Sequence, residues 1–141
     1  MERVYFHLVV EEDYPPVSTE SVWAEKLSSG NYRIKNIPFY TKDVSLDDVV
    51  SVKKGQDGEL LFHRVVRHSG NSTLRVVFFE EIFTHRVIRK LENMGCSWGN
   101  MSGSLYSINV PCPTKTDVVI DYLEKEILHG ILDYECGKLN Q

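Results

Sequence analysis

Zinc sites and disulfide frameworks need spacings of cysteine or histidine that this chain lacks. Its three cysteines, Cys96, Cys112 and Cys136, are an odd number at wide spacings and form no C-x-x-C pair. That spacing predicts neither a zinc site nor a dithiol redox site. The histidines form no H-x-x-x-H or H-E-x-x-H sequence, which a helical metal site would need. We therefore predict three reduced thiols, no metal ligands and no cofactor.

The chain also lacks a long apolar run and a cluster of basic residues. No segment approaches the roughly 18 apolar residues of a membrane span. The first apolar stretch ends at Val10 and does not resemble a signal peptide. A net charge of −4 argues against nucleic acid as the main partner, because phosphate binding needs concentrated positive charge. These absences predict a cytoplasmic protein with no membrane or nucleic acid partner, and they leave the oligomeric state open.

Alternating apolar and polar residues in the first half of the chain predict β-strands. Turn residues separate these segments, most clearly Gly55-Gln56-Asp57-Gly58. Trp23, like Trp98 further along, is predicted to be a core aromatic. Five short strands at this spacing favour a small curled β-sheet or barrel. The predicted strands are residues 3–10, 22–27, 32–35, 49–52 and 60–67.

The second half of the chain mixes strand and helix patterns. Strand, helix, two strands and helix make up most of a ferredoxin-like β-α-β-β-α unit, to which residues 3–10 could add a strand. We expect one compact α+β domain over residues 1–141, with a subdomain seam near 68–73 between a mostly β part (1–70) and a ferredoxin-like part (71–141). The predicted elements are strands at 73–79, 97–101 and 105–110, and helices at 82–94 and from Thr114 to about Glu135.

The segment Ser69-Gly70-Asn71-Ser72-Thr73 at this seam could be a phosphate-binding loop or a turn. A phosphate loop opens a helix and has several glycines with a nearby lysine, whereas here a strand follows a single glycine. A serine nucleophile would need G-x-S-x-G, which is absent. We therefore predict a turn, with a positive φ angle at Gly70 or Asn71.

Two acidic groups are the candidate binding residues, and no catalytic set is identified. Glu11, Glu12 and Asp13 with Tyr14 form an acidic and aromatic run that predicts a protein-binding surface, because charge steers encounter and tyrosine anchors interfaces. Asp47 and Asp48 are the second choice. A basic partner would suit the net charge.

Several linked motifs run through the chain. They lie in Pro15-Pro16 with Glu20–Glu25, in Gly30–Phe39, in Asp48-Val49-Val50, in Arg67–Val76, and in the later Leu91–Cys96, Val110-Pro111 and Gly130–Glu135. Together they resemble a bacterial family, domain of unknown function 4265. The resemblance implies no established activity, cofactor or catalytic residue.

Small stand-alone bacterial proteins of this sort are often immunity proteins encoded beside a secreted toxin, and this analogy concerns function. The first hypothesis is therefore an immunity-type inhibitor that neutralises a basic toxin domain by direct binding. The second is a small-molecule-binding regulatory or sensor domain. The third is an enzyme that uses His63, His68 and Asp48.

Overall fold

The computed structural model describes residues 1–139, which form an α+β protein with nine strands and two α-helices, most of it sheet. Two units divide the chain between Ser69 and Gly70. The first unit contains strands only, and the second contains both helices.

The strands of the first unit close into a five-stranded barrel in the order β1-β2-β3-β4-β5, as the first half of the sequence predicts. Successive strands pair antiparallel, and β1 closes the ring by pairing parallel with β5 through Val4–Leu60 and Tyr5–Leu61. The strands are β1 (Glu2–His7), β2 (Thr19–Lys26), β3 (Tyr32–Ile34), β4 (Val49–Lys54) and β5 (Leu60–Arg67).

Side chains alternate between the inside and the outside of this barrel. Val22 and Ala24 of β2 are buried, so Trp23 between them points outward and is 40% exposed. The guanidinium of Arg3 lies 4.5 Å from the centre of the Trp23 ring. The prediction that Trp23 is a core aromatic was wrong, because the register places its smaller neighbours inside. Trp98 of the second unit is 42% exposed, so it is not a core aromatic either.

The second unit has the chain order strand, helix, strand, strand, helix, strand. Its sheet has the order β7-β8-β6-β9, and every neighbouring pair is antiparallel. The elements are β6 (Ser72–Phe78), a 3-10 turn (Glu81–Phe83), α1 (Thr84–Asn93), β7 (Ser97–Asn100), β8 (Leu105–Val110), α2 (Thr116–Leu128) and β9 (Leu132–Cys136).

The end of the second helix differs from the sequence expectation. Helix α2 stops at Leu128, and Gly130 follows with a φ of 70°. Ile131 and Tyr134 continued the apolar pattern of this helix in the sequence, but both lie beyond its end. Ile131 follows Gly130, and Tyr134 lies in β9. The fourth strand of this sheet is therefore β9, and the β1 strand belongs to the barrel.

The apolar face of this sheet packs with both helices into one core. Alternate residues of β6, Leu74, Val76 and Phe78, point into it. The helices contribute residues at i, i+4 spacing, which is the spacing of one helical face. These helix residues are Val87 and Leu91 of α1 and Val119 and Leu123 of α2.

The segment that begins the second unit leads within two residues into β6, and the predicted positive φ angle occurs at Gly70. Gly70 has a φ of 88°, and the side chain of Asn71 accepts a hydrogen bond from the Cys112 backbone N–H at 3.0 Å. A Cβ atom on Gly70 would lie 2.8 Å from the Sγ atom of Cys112. Both the backbone angle and the available space therefore require glycine.

Gly70→Ala should lower the free energy of unfolding by more than the φ penalty alone, which is about 1 kcal/mol. Gly103→Ala is the matched control in the same unit, since Gly103 has a φ of 64° and open space around its Cα. Urea unfolding midpoints measure both variants. Equal losses in the two variants would contradict the proposed contact with Cys112.

Trp23→Ala should cost on the order of 1 kcal/mol, the scale of a surface cation–π contact. Ile34→Ala in the same barrel should cost about 2–5 kcal/mol, because Ile34 is completely buried and its loss leaves a cavity. Chemical denaturation compares the two. A larger loss for Trp23→Ala would show that the outward register of β2 is wrong.

Candidate functional site

Residues Glu11–Tyr14 form a tight turn beyond the paired ends of β1 and β2, and we call these four residues the acidic tip. Glu11 and Tyr14 exchange two backbone hydrogen bonds of 2.9 and 3.0 Å. Between them, Glu12 and Asp13 have φ angles of 53° and 65°. Two successive left-handed residues in a two-residue hairpin are the geometry of a type I′ turn.

The side chains of the acidic tip face solvent. Type I′ turns favour asparagine, aspartate and glycine, so Glu12 is the unfavoured residue of this turn, and its left-handed backbone costs on the order of 1 kcal/mol. No lysine or arginine occurs between residues 4 and 25. Within residues 1–139, no ion pair neutralises the carboxylates of Glu11, Glu12 or Asp13. Strained and exposed acidic residues are typical of functional surfaces.

Apolar side chains flank this negative charge. Tyr14 is 50% exposed, and its ring meets the ring of Tyr40 edge to face with 6.2 Å between centroids. Val9 is 79% exposed on the other side of the turn, and Val10 and Val17 are also exposed. The tip therefore combines negative charge with exposed apolar area.

A buried carboxylate holds the segment on which Tyr14 rests. Glu20 lies on the inward face of β2, and its two oxygens accept the backbone N–H groups of Phe39, Tyr40 and Thr41 at 2.6, 3.1 and 2.8 Å. Buried carboxylates are stable when backbone donors replace water in this way. Glu20 thus positions Tyr40, and Tyr40 supports Tyr14 of the tip.

The second predicted pair of acids is divided between the interior and the surface. Asp48 is completely buried, and its carboxylate accepts the backbone N–H groups of Ser45 at 2.9 Å and Ser69 at 2.7 Å. Asp47 has a φ of 69° and forms a 3.3 Å ion pair with Lys35. Asp48 therefore cannot contact a partner and is not part of the candidate binding surface.

The burial of Asp48 also removes the carboxylate from the predicted enzyme site of His63, His68 and Asp48. Both oxygens of Asp48 are occupied by backbone donors inside the first unit, while His63 and His68 are exposed. Within residues 1–139, no group of three or more His, Cys, Asp or Glu side chains is placed to hold a metal ion.

A groove of about 480 Å³ lies beside the base of the β1–β2 hairpin. One wall contains His7 and Thr19, the last paired residues of β1 and β2. The other wall contains the turn between β4 and β5. The lining residues are Tyr5, Phe6, His7, Thr19, Gly55, Gln56, Asp57, Glu59 and Leu61.

The second unit contains a separate polar cluster around Glu126 of α2. Arg86 of α1 donates to Glu126 Oε2 at 2.8 Å, Tyr122 donates to the same oxygen at 3.0 Å, and His129 Nδ1 lies 3.3 Å from Oε1. Burial acts to raise the pKa of Glu126, but the hydrogen bonds from Tyr122, Arg86 and His129 outweigh it and lower the pKa. Burial, reinforced by Glu126, raises the pKa of Tyr122 to about 12. This cluster links the two helices.

Two further sequence predictions, one on the cysteines and one on membrane spans, do not involve the tip, the groove or the Glu126 cluster. Cys96, Cys112 and Cys136 form no disulfide with one another, and burial raises the pKa of the Cys96 thiol to about 11. A thiol with a raised pKa is a poor nucleophile. Neither helix of the described chain is long and apolar enough to cross a membrane.

Sequence reasoning missed three acidic residues with structural or site roles. Glu20 shares the inward phase of Val22 and Ala24, and a strand predicted to start at Thr19 would have revealed a buried acid. Glu126 lies at i+4 from Tyr122 and i−3 from His129, a polar stripe that indicates one helix face. No sequence signal marks Glu59, because its position depends on the fold of the β4–β5 turn.

Two comparisons place the chain among known proteins. The family model described as "Domain of unknown function (DUF4265)" matches residues 20–134. The chain is similar to a solved structure titled "Novel crystal structure of a hypothetical protein from Neisseria gonorrhoeae", with a TM-score of 0.85, 20% identity, and coverage of 98% of this chain and 94% of that chain. At this identity the likeness shows the fold alone. No curated protein matches the chain.

The Glu126 cluster predicts a pH-dependent stability in acid. A lowered folded-state pKa means that Glu126 stabilises the fold above its ordinary pKa of 4.5, and that this contribution disappears as the pH falls through the lower folded value. Glu126→Gln should therefore be less stable than the wild type near neutral pH. The difference should shrink in acid, as measured by urea unfolding between pH 7 and about pH 3. A constant difference over this range would contradict the assignment.

Proposed function

We propose that this chain, a member of the DUF4265 family whose model matches residues 20–134, is an immunity-type inhibitor that binds a cognate bacterial toxin through the acidic tip. The observation that carries the proposal is the exposed type I′ turn with Glu12 and Asp13 at its centre. A turn needed only for connection would be more stable with asparagine or glycine in place of Glu12. The partner surface is expected to be basic.

Charge and exposed apolar area at the tip suit two stages of binding. The carboxylates of Glu11, Glu12 and Asp13 would attract a basic surface at long range and raise the association rate. The half-exposed ring of Tyr14 would then be buried as an anchor, since tyrosine is enriched among residues that dominate binding energy. The adjacent Val9 adds apolar area to this contact.

The tip is held in place before it meets a partner. Two backbone hydrogen bonds close the turn, Tyr14 packs against Tyr40, and Tyr40 is hydrogen-bonded to Glu20. A segment that is already ordered loses less conformational entropy on binding than a flexible loop. This support favours recognition of a folded partner over nonspecific attraction of cations.

We assign the second unit to the ferredoxin-like class. The support is the β-α-β-β-α-β chain order and the antiparallel sheet order β7-β8-β6-β9.

A second candidate function is a small-molecule-binding regulatory domain. The groove of about 480 Å³ in the first unit favours it, because small ligands usually bind in concave sites of about 300–1,000 Å³. Native mass spectrometry of the protein purified from its own cells distinguishes the two functions. A retained small molecule favours the regulatory domain, and a retained protein favours the inhibitor.

The experiment that tests the inhibitor is co-expression with the neighbouring open reading frame, followed by binding kinetics at two salt concentrations. Glu11→Lys with Glu12→Lys should slow association by roughly tenfold at low salt and reduce its salt dependence, because the steering charge is reversed. The matched control is Glu80→Lys with Glu81→Lys, an exposed acidic pair of the second unit. The control pair should leave association nearly unchanged.

Tyr14→Ala should act on the dissociation rate, because the loss of a buried anchor shortens the life of the complex. The proposal is wrong if the neighbouring protein is not toxic when expressed alone and no partner co-purifies. It is also wrong if the two charge-reversal pairs change association equally, since the effect would then come from net charge and not from the tip.

A further inference from the structure

We infer that the groove of the first unit is a second binding site, which receives a lysine or arginine side chain of the same protein partner. The inference rests on the proposed function, because it assigns a subsite beside the acidic tip. The groove starts at the His7–Thr19 pair, and the tip begins four residues after His7. A basic surface that covers the tip therefore lies next to the groove.

The apolar part of the groove suits an aliphatic stem. Phe6 is buried and stacks on Phe62 with 4.8 Å between ring centroids, so this part of the lining is backed by the barrel core. Leu61 and Tyr5 add further apolar surface. Lysine and arginine bury their methylene groups on such surfaces while the charged end stays near polar groups. The face of a tyrosine ring also attracts a cation.

The polar part of the groove carries two carboxylates and no basic side chain other than His7. Asp57 and Glu59 both line it, and the backbone N–H of Asp57 donates to Glu59 Oε1 at 3.3 Å. Charge complementarity therefore selects a cation over an anion or a neutral group. Arginine and lysine form their strongest hydrogen bonds with carboxylates.

Gly55 is the residue that makes room for one of these carboxylates. A Cβ atom on Gly55 would overlap the carboxylate end of the Glu59 side chain. The φ angle of Gly55 is outside the left-handed region, so its backbone does not itself require glycine. The missing side chain thus lets Glu59 lie across the turn at the edge of the groove.

The test uses the full chain and two simple probes, n-butylguanidinium and n-butylammonium, followed by amide chemical shifts. The amides of Tyr5, His7 and Asp57 should shift with dissociation constants in the millimolar range, as expected for one side chain without the rest of a partner. Butanol and butyrate, of similar size, are the neutral and anionic controls and should cause no shift at the same concentration. Equal shifts from all four compounds, or none from the cations, would overturn the inference.

Three variants test the assigned carboxylates. Glu59→Gln and Asp57→Asn should each weaken probe binding by at least roughly fivefold, because a charged hydrogen bond is lost. Gly55→Ala keeps both charges but displaces the flexible end of Glu59, so it should weaken binding with little change in the urea midpoint. Asp43→Asn, at an exposed acid outside the groove lining, should bind as the wild type does.

Two further measurements test whether the groove binds independently of the tip and whether its occupant is a partner side chain. The Glu11→Lys and Glu12→Lys variant should still bind n-butylguanidinium, since neither residue lines the groove. Spermidine tests a free polyamine as the occupant. If it binds more than about a hundredfold tighter than n-butylguanidinium, the assignment to a partner side chain is wrong. Probe binding with no co-purifying toxin would overturn the proposed function and the partner as the occupant, while the preference of the groove for a cationic side chain would stand.

Discussion

Three backbone N–H groups, those of Phe39, Tyr40 and Thr41, point at the single carboxylate of Glu20. Glu20 is buried on the inward side of β2, so the loss of this interaction would leave a buried charge and three donors without partners, each of which costs free energy. The loop after β3 must therefore lie against β2. This constraint sets the position of Tyr40, and through the Tyr14 ring it supports the acidic tip.

The acidic residues of the chain divide into two groups with different uses. Glu20, Asp48 and Glu126 are buried, and each accepts hydrogen bonds that fix a loop or join two helices. The residues of the tip and the groove face solvent, where their charge is available to a partner. The net charge of −4 therefore says less about binding than the location of each carboxylate does. We therefore propose one acidic surface of the first unit, to which Tyr14 and the apolar part of the groove add apolar area.

The sequence predicted more of the fold than of the site. Alternation located β5 at Leu60–Arg67, and the Gly55–Gly58 turn and the positive φ of Gly70 followed from local turn chemistry. The acidic tip could be named from its run of charges. Its type I′ geometry and its support by Glu20 could not be predicted from the sequence, because the Glu20 contacts join residues about 20 positions apart. The groove joins parts of the chain that are still further apart in sequence.

The sequence by itself determined the features that depend only on residues close together in the chain. These features are strand alternation, turns at glycine, and the lack of metal-binding spacings. Tertiary structure alone decided which side of each strand became the interior. It turned Trp23 outward, buried Asp48 while Glu12 stayed exposed, and used residues 132–136 as a strand after an apolar pattern that had indicated helix. The physical reason is that local propensity depends on residues a few positions away. Burial and strand pairing depend on partners across the sheet, which no local pattern identifies.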